Sequence, residues 1–201
     1  MLKLLLATNN PGKLVEMQTL LEDLALELVT PALVGLKMEV EEDGNTYAQN
    51  AARKAQAFAA ASGLPSLGDD SGLEVDALGG APGIYSARFS AKPGATDSDR
   101  RAFLIRKLSG KPEPWTACFH CVIALADPQG ETFFAEGICP GMIISEERGQ
   151  NGFGYDPIFF LPEFGRTMAE LDMDEKNQVS HRARAIWAAR PRLIQWLTHQ
   201  P

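Results

Sequence analysis

Cysteine, histidine and positive charge are all scarce in this 201-residue chain. Three cysteines, Cys118, Cys121 and Cys139, are too few and odd in number for a disulfide framework, and they fit a reducing compartment. The only histidines are His120, His181 and His199, and no G-x-S-x-G nucleophile elbow accompanies them. A formal net charge of -7 gives no general pull toward nucleic acid or an anionic membrane. An anionic substrate therefore needs local cations or a metal. The opening apolar run, MLKLLLA, is too short for a signal-peptide core or a bilayer span. Repeats and low-complexity tracts are missing too. What is left is the profile of a soluble, cytoplasmic protein with no nucleic-acid or membrane partner. Its hydrophobic content of 45 % and charged content of 22 % suit one large domain or two small lobes with a sizeable core.

Leu2–Ala7 reads as a buried strand ended by the turn Thr8-Asn-Asn-Pro-Gly. Apolar residues at 14, 15, 17, 20, 21 and 24 predict a helix over Lys13–Leu24. Asn45 or Thr46 caps a second helix that ends at Ser62 before Gly63, with Asn50 and Lys54 on one face. A short strand is expected at Leu73–Val75, a helix from Thr96 or Asp97 to Ser109, and strands at Trp115–Ala126, Thr132–Ile138 and Met142–Ser145. Ser180 caps a last helix that is interrupted or kinked at Pro191. Strands and helices mix throughout, which gives an α/β or α+β class with a substantial sheet.

Five stretches could carry chemistry. Thr8-Asn9-Asn10-Pro11-Gly12-Lys13 joins strand to helix and offers hydroxyl, amide, backbone N–H and ammonium donors to an anion. It lacks Walker A spacing, and on local pattern it also reads as an ordinary capped turn. Asp69-Asp70-Ser71-Gly72 could hold a divalent cation through oxygen, or could be a surface turn. Adjacent residues in a strand point oppositely, so both acids meet one ion only if the strand ends or turns there. Glu39, Glu41, Glu42 and Asp43 form an acidic patch, either a solvated loop or a source of another metal carboxylate. In Gly152-Phe153-Gly154-Tyr155-Asp156-Pro157, glycines flank an aromatic, as a planar ligand requires and as a turn also permits. Lys176 and Ser180-His181-Arg182 gather cationic groups at a helix entrance. Cys118-Phe-His-Cys121 has zinc-like spacing, but its cysteines face opposite sides of a strand, so core packing is expected.

Taken in order, these motifs resemble one family. T-x-N-x-x-K (Thr8, Asn10, Lys13), Glu42, Asn50 and Lys54, DDSGLEVDALGGAPGIYSARF, FGYDPIF and EKN-x-x-SHR are similar to the inosine triphosphate pyrophosphatases of non-canonical purine nucleotides. The resemblance spans Leu2 to about Trp196. It implies a mixed, strongly curved central sheet with flanking helices, and residues 1–201 as a single domain with two lobes around a substrate cleft. It also implies a homodimer, a Mg²⁺ requirement, and hydrolysis of ITP, dITP or XTP to the monophosphate and pyrophosphate, which cleanses the nucleotide pool. By the same resemblance Thr8, Asn9, Asn10, Pro11, Gly12, Lys13, Lys54 and Ser71 hold the triphosphate. Asp70 is general base and metal ligand, Glu42 the second metal carboxylate, and Asp69 supports the metal. Phe153 stacks on the purine, flanked by Gly154 and Tyr155, while Asp156, Lys176, His181 and Arg182 surround the base. Two other readings remain: a related Maf-like enzyme acting on pyrimidine nucleotides, and a non-catalytic nucleotide-binding module. FGYDP and SHR speak against the first, and the Asp pair against the second.

Overall fold

Alternation of side chains along short parallel strands builds the first half of the molecule. In the computed structural model, which describes residues 2–198, β1 (Leu2–Leu6) sits between β2 (Leu26–Val29) and β3 (Ser66–Val75) and is parallel to both. Leu4 and Leu6 enter one buried cluster with Met17 of α1 (Pro11–Leu20) and with Ile186 of α5 (His181–Thr198). Leu5 enters another with Phe58 of α2 (Tyr47–Ser62). Helices α1 and α5 thus cover one face of these strands and α2 the other. His199 lies outside the described residues.

The remaining elements are α3 (Asp97–Leu108), β4 (Trp115–Ala126), β5 (Thr132–Ile143), β6 (Phe159–Leu161), β7 (Arg166–Thr167) and α4 (Met173–Val179). All seven strands join one mixed sheet in the order β2-β1-β3-β4-β5-β6-β7, in which β6 is antiparallel to both β5 and β7. The α/β class and the helix-flanked mixed sheet agree with the sequence. The chain divides into two compact units. The first comprises Met1–Asp70, Cys121–Gly137 and His181–Pro201; the second comprises Ser71–His120 and Ile138–Ser180. The second has its own core, including Leu73, Leu104, Trp115, Phe159 and Met168. Among the described residues no helix is long and apolar enough to cross a membrane.

Several boundaries differ from expectation. The first helix begins at Pro11 and ends at Leu20, because Asn10 caps it and Pro11 fits its first turn. The strand expected at Leu73–Val75 is the end of a ten-residue β3 that carries the Asp pair inside it. The strand expected at Met142–Ser145 is the continuation of β5. Helix α5 continues through Pro191, flanked by Ala189 and Leu193 in the core, so the lost N–H does not end it. Strands β2, β6 and β7 and helix α4 are two to seven residues long, too short to show a period in sequence.

Two glycines let the helices seat closely. A Cβ on Gly68 of β3 would stand 2.3 Å from the Ala51 carbonyl oxygen of α2, and one on Gly137 of β5 would stand 2.3 Å from the His181 carbonyl oxygen of α5. The helices that carry Asn50 and Lys54, and His181 and Arg182, therefore rest directly on strand backbone.

Candidate active site

The turn after β1 is organised by its own side chains. Asn10 Oδ1 accepts from Lys13 N at 3.1 Å, and Thr8 Oγ1 accepts from Asn10 N at 3.2 Å. Asn9, Asn10 and Pro11 are exposed, while Thr8, Gly12 and Lys13 are half-buried. The Pro11-Gly12 pair opens a ten-residue helix whose first N–H groups and dipole favour an anion.

Because β3 is continuous through Asp69 and Asp70, the two acids face opposite sides. Asp69 is fully buried. Its Oδ1 takes the Lys13 ammonium, and its Oδ2 takes Arg182 Nε at 2.9 Å and the Cys121 thiol at 3.1 Å. Burial alone would raise the Asp69 pKa, but Arg182, Lys13 and Lys54 outweigh it and hold the carboxyl well below the usual range. Asp70 has a different setting. Its Oδ2 accepts from Asn50 Nδ2 at 3.0 Å, and its Oδ1 stands 3.7 Å from Lys54 Nζ. Burial raises its pKa, and Lys54, Lys13 and Asn50 only partly offset that.

Lys54 marks a point where oxygen ligands converge. Its Nζ lies 2.5 Å from Glu42 Oε1 and 2.5 Å from the Asp69 carbonyl oxygen, besides the Asp70 contact. Two carboxylates and a carbonyl already meet around one cation, and hard oxygen donors of this kind fit Mg²⁺, which keeps several waters. Among the described residues no group of three or more metal-ligating side chains gathers. The Asp69 carboxylate does not join, since its oxygens are engaged by Lys13, Arg182 and Cys121; this differs from its expected place at the metal. Asn50 ties the set together, because its Oδ1 accepts from Gly44 N at 2.8 Å, two residues beyond Glu42.

In the second unit the Phe153 loop is pinned at each step. Asp156 is buried, and its Oδ2 accepts from Phe153 N at 2.9 Å and Lys176 Nζ at 2.6 Å. Gly154 N donates to Asp97 Oδ2 at 2.8 Å, and Arg101 Nη1 donates to the Gly154 carbonyl at 2.8 Å. Tyr155 is buried, and its hydroxyl donates to the Ser86 carbonyl at 2.9 Å, which makes it a structural anchor. The Lys176 ammonium lies 5.1 Å from the centre of the half-buried Phe153 ring. Gly152 has φ of 73° and leaves no room for a Cβ, which would stand 2.1 Å from Asp156 Oδ2. The result is an aromatic platform beside a fixed ammonium donor.

Other expected residues are placed as follows. Ser71 follows Asp70 on β3, half-buried. His181 is buried at the start of α5. Arg182 is buried to 1 % exposure, with Nε on Asp69 and Nη1 on Glu16. This differs from a guanidinium turned to the base, because its fork already binds two carboxylates. Sequence reading missed Glu16, Asp97 and Arg101 as parts of this machinery, and it picked out Asn50 without giving it a role. Glu16 left a signal: it lies four residues before the buried Leu20, on the apolar face of α1, and a carboxylate there demands a buried cation. Cys121 packs in the core as expected, and its thiol also meets Asp69.

Known proteins similar to this chain match it along almost its whole length. The chain is 50 % identical over 200 residues to a dITP/XTP pyrophosphatase of Desulforamulus reducens, covering 99 % of both chains. It is 46 % identical over 188 residues to a dITP/XTP pyrophosphatase of Thermus thermophilus, covering 93 % of this chain and 89 % of that one. A solved HAM1 protein from Coxiella burnetii superposes with a TM-score of 0.88 at 42 % identity, covering 97 % of this chain and all of that one. Residues 4–191 match the profile of the Ham1 family. With the turn after β1, the divided Asp pair and the Phe153 loop all inside that span, the chain belongs to the Ham1 family.

Proposed function

We propose that the protein is a hydrolase that cleaves deaminated purine nucleoside triphosphates, ITP, dITP and XTP, to the monophosphate and pyrophosphate, and so cleanses the nucleotide pool. The observation that carries this reading is the contrast between Asp69 and Asp70. One acid is locked into a buried charge cluster, and the other keeps a raised pKa beside cations. Phosphate binding alone needs no such acid. The names of the relatives, dITP/XTP pyrophosphatases at up to half identity, support the substrate class.

In this reading the triphosphate binds at the start of α1, against the N–H group of Gly12 and the Lys13 and Lys54 ammonium groups, with Thr8, Asn9, Asn10 and Ser71 as further donors. Glu42 and Asp70 would hold Mg²⁺, which when bound would neutralise phosphate oxygens and lower the pKa of water. Asp70 Oδ1 accepts the proton of the water that attacks the α-phosphorus, and Asn50 fixes the carboxylate plane for that transfer. Phe153 stacks on the base and Lys176, held by Asp156, donates to a 6-oxo group. Adenine presents an amino donor there and leaves the ammonium unmatched. His181 completes the base side. We extend the same reading to one catalytic domain over the whole chain, a homodimer and a cytoplasmic setting. Pyrophosphate release from ITP, XTP, dITP, GTP and ATP, with and without Mg²⁺, tests it. Fast release from the first three that needs Mg²⁺ is expected; equal rates on ATP and ITP sink the selectivity.

A further inference from the structure

We infer that Glu16 is a positioning residue for the triphosphate: acting through Arg182 and Asp69, it fixes the Lys13 ammonium at the start of α1. The inference rests on reading that helix start as the phosphate site.

The chain of contacts is continuous, and all of it but Lys13 is buried. Lys13 and Glu16 stand three apart on α1, one at the accessible edge and one in the interior. Glu16 accepts from Arg182 Nη1, and Arg182 Nε donates to Asp69 Oδ2 at 2.9 Å. Asp69 Oδ1 then takes Lys13 Nζ, which also lies 3.5 Å from the Asp69 carbonyl oxygen. Signs alternate along the series as minus, plus, minus, plus, so the four groups sum to zero. A planar guanidinium fixes the plane of each carboxylate it meets, whereas an ammonium on four methylenes has no fixed direction of its own. The order in the series therefore runs from Glu16 and Arg182 toward Lys13. If Glu16 is neutral, Arg182 loses a carboxylate partner and competes with Lys13 for Asp69. The ammonium is then held less firmly where phosphate would meet it. A base-contacting role for Arg182 makes a different prediction, because it would act on base selectivity and leave phosphate affinity alone.

The test is Glu16→Gln in the full chain, with inorganic tripolyphosphate in Mg²⁺ buffer as a probe that has no base. Calorimetry should show tripolyphosphate binding weakened about tenfold, as expected for loss of a charge-assisted contact. KM for ITP should rise, while the ITP-to-ATP ratio of kcat/KM stays unchanged. In a Lys13→Met background the same substitution should add nothing, since the group it positions is gone. A purely structural Glu16 would multiply its loss onto Lys13→Met, and that result overturns the inference. So does a fallen ITP-to-ATP ratio with tripolyphosphate binding intact. If Glu16→Gln alone does not fold, Glu16→Gln with Arg182→Met removes both buried charges together and must give the same non-additivity with Lys13→Met. Failure of the wild-type protein to bind tripolyphosphate would instead remove the phosphate reading itself, and the inference with it.

Discussion

The two faces of β3 at Asp69 and Asp70 use the same residue type for opposite purposes. On the α1 and α5 side, Asp69 is buried, meets Lys13, Arg182 and Cys121, and has its pKa held down. On the α2 side, Asp70 has one amide donor and a more distant ammonium, and burial pushes its pKa up. Adjacency in sequence suggests a pair, but the pleat of the strand makes two separate sites. Ionisation of Asp69 is stabilised by the fold, and ionisation of Asp70 works against it. A carboxylate that the fold makes harder to keep ionised is the one suited to take a proton from water.

Replacing each acid with its amide should separate the two faces. Asp70→Asn should lower kcat for ITP by about 10²–10⁴, the usual contribution of a general base, with ITP binding retained in calorimetry. Its denaturant midpoint should hold or rise, because the ionised form that it removes is disfavoured in the fold. Asp69→Asn should lose stability by about 3–5 kcal/mol, since it leaves Arg182 and Lys13 buried without their shared carboxylate. The pH dependences differ in sign. Asp69 contributes stability above the unfolded pKa of about 4, and that is lost as pH falls through its depressed folded value. The folded pKa of Asp70 is raised, so its contribution is largest below about pH 4 and declines as pH rises through the folded value. Urea unfolding of both variants from acid to neutral pH reads this; equal acid arms would erase the contrast.

A smaller effect is expected where the helices rest on the sheet. Gly68→Ala places a Cβ against Ala51 and Ala55 of α2, and Gly137→Ala places one against His181 and Ala185 of α5. Each should lose about 1–3 kcal/mol by overpacking. The functional consequences should differ by face. Displacing α2 moves Asn50 and Lys54 relative to Asp70, so Gly68→Ala should act mainly on kcat. Displacing α5 moves Arg182 relative to Asp69 and Glu16, so Gly137→Ala should act mainly on KM for ITP. Steady-state kinetics on the two variants would show whether the faces are separable; the same kcat-to-KM pattern in both would show that they are not.

How much of this was legible beforehand follows from the range of each interaction. Local signals carried α2, capped by Thr46 and ended by Gly63 in the left-handed region, because both ends are written within a few residues. The start of α3 at Thr96 was legible for the same reason. The candidate site residues were found by motif, but their roles depend on distant partners. Asp69 and Arg182 are 113 positions apart, and Lys13 and Asp69 are 56 apart. No local pattern tells that an arginine in a basic cluster is consumed by two buried carboxylates. The continuity of β3 through its two acids was hidden likewise. Charged residues inside a strand look like its end until the cations that neutralise them are placed.

The smallest expected effect sets an exposed acid against the buried ones. Asp99 in the first turn of α3 accepts from Thr96 N at 2.9 Å and Thr96 Oγ1 at 2.8 Å and lies 3.2 Å from Lys92 Nζ. The Thr96 backbone N–H first, then the Thr96 hydroxyl and Lys92, bring its pKa down to about 2. Like Asp69 it has a depressed folded value, so the sign is the same. Its contribution is full above the unfolded value of about 4 and is lost as pH falls toward about 2. The cause differs, since a capping box on the surface replaces a buried charge network. Asp99→Asn should therefore lower the melting temperature at neutral pH by less than Gly68→Ala, and the gap to wild type should close below pH 4. Added salt should narrow the part that comes from Lys92 and leave the backbone contribution. The same salt should barely change the loss in Asp69→Asn, whose partners are shielded from solvent. If salt moves both variants alike, the interior network is open to water, and the two acids of β3 are less different than their geometry makes them.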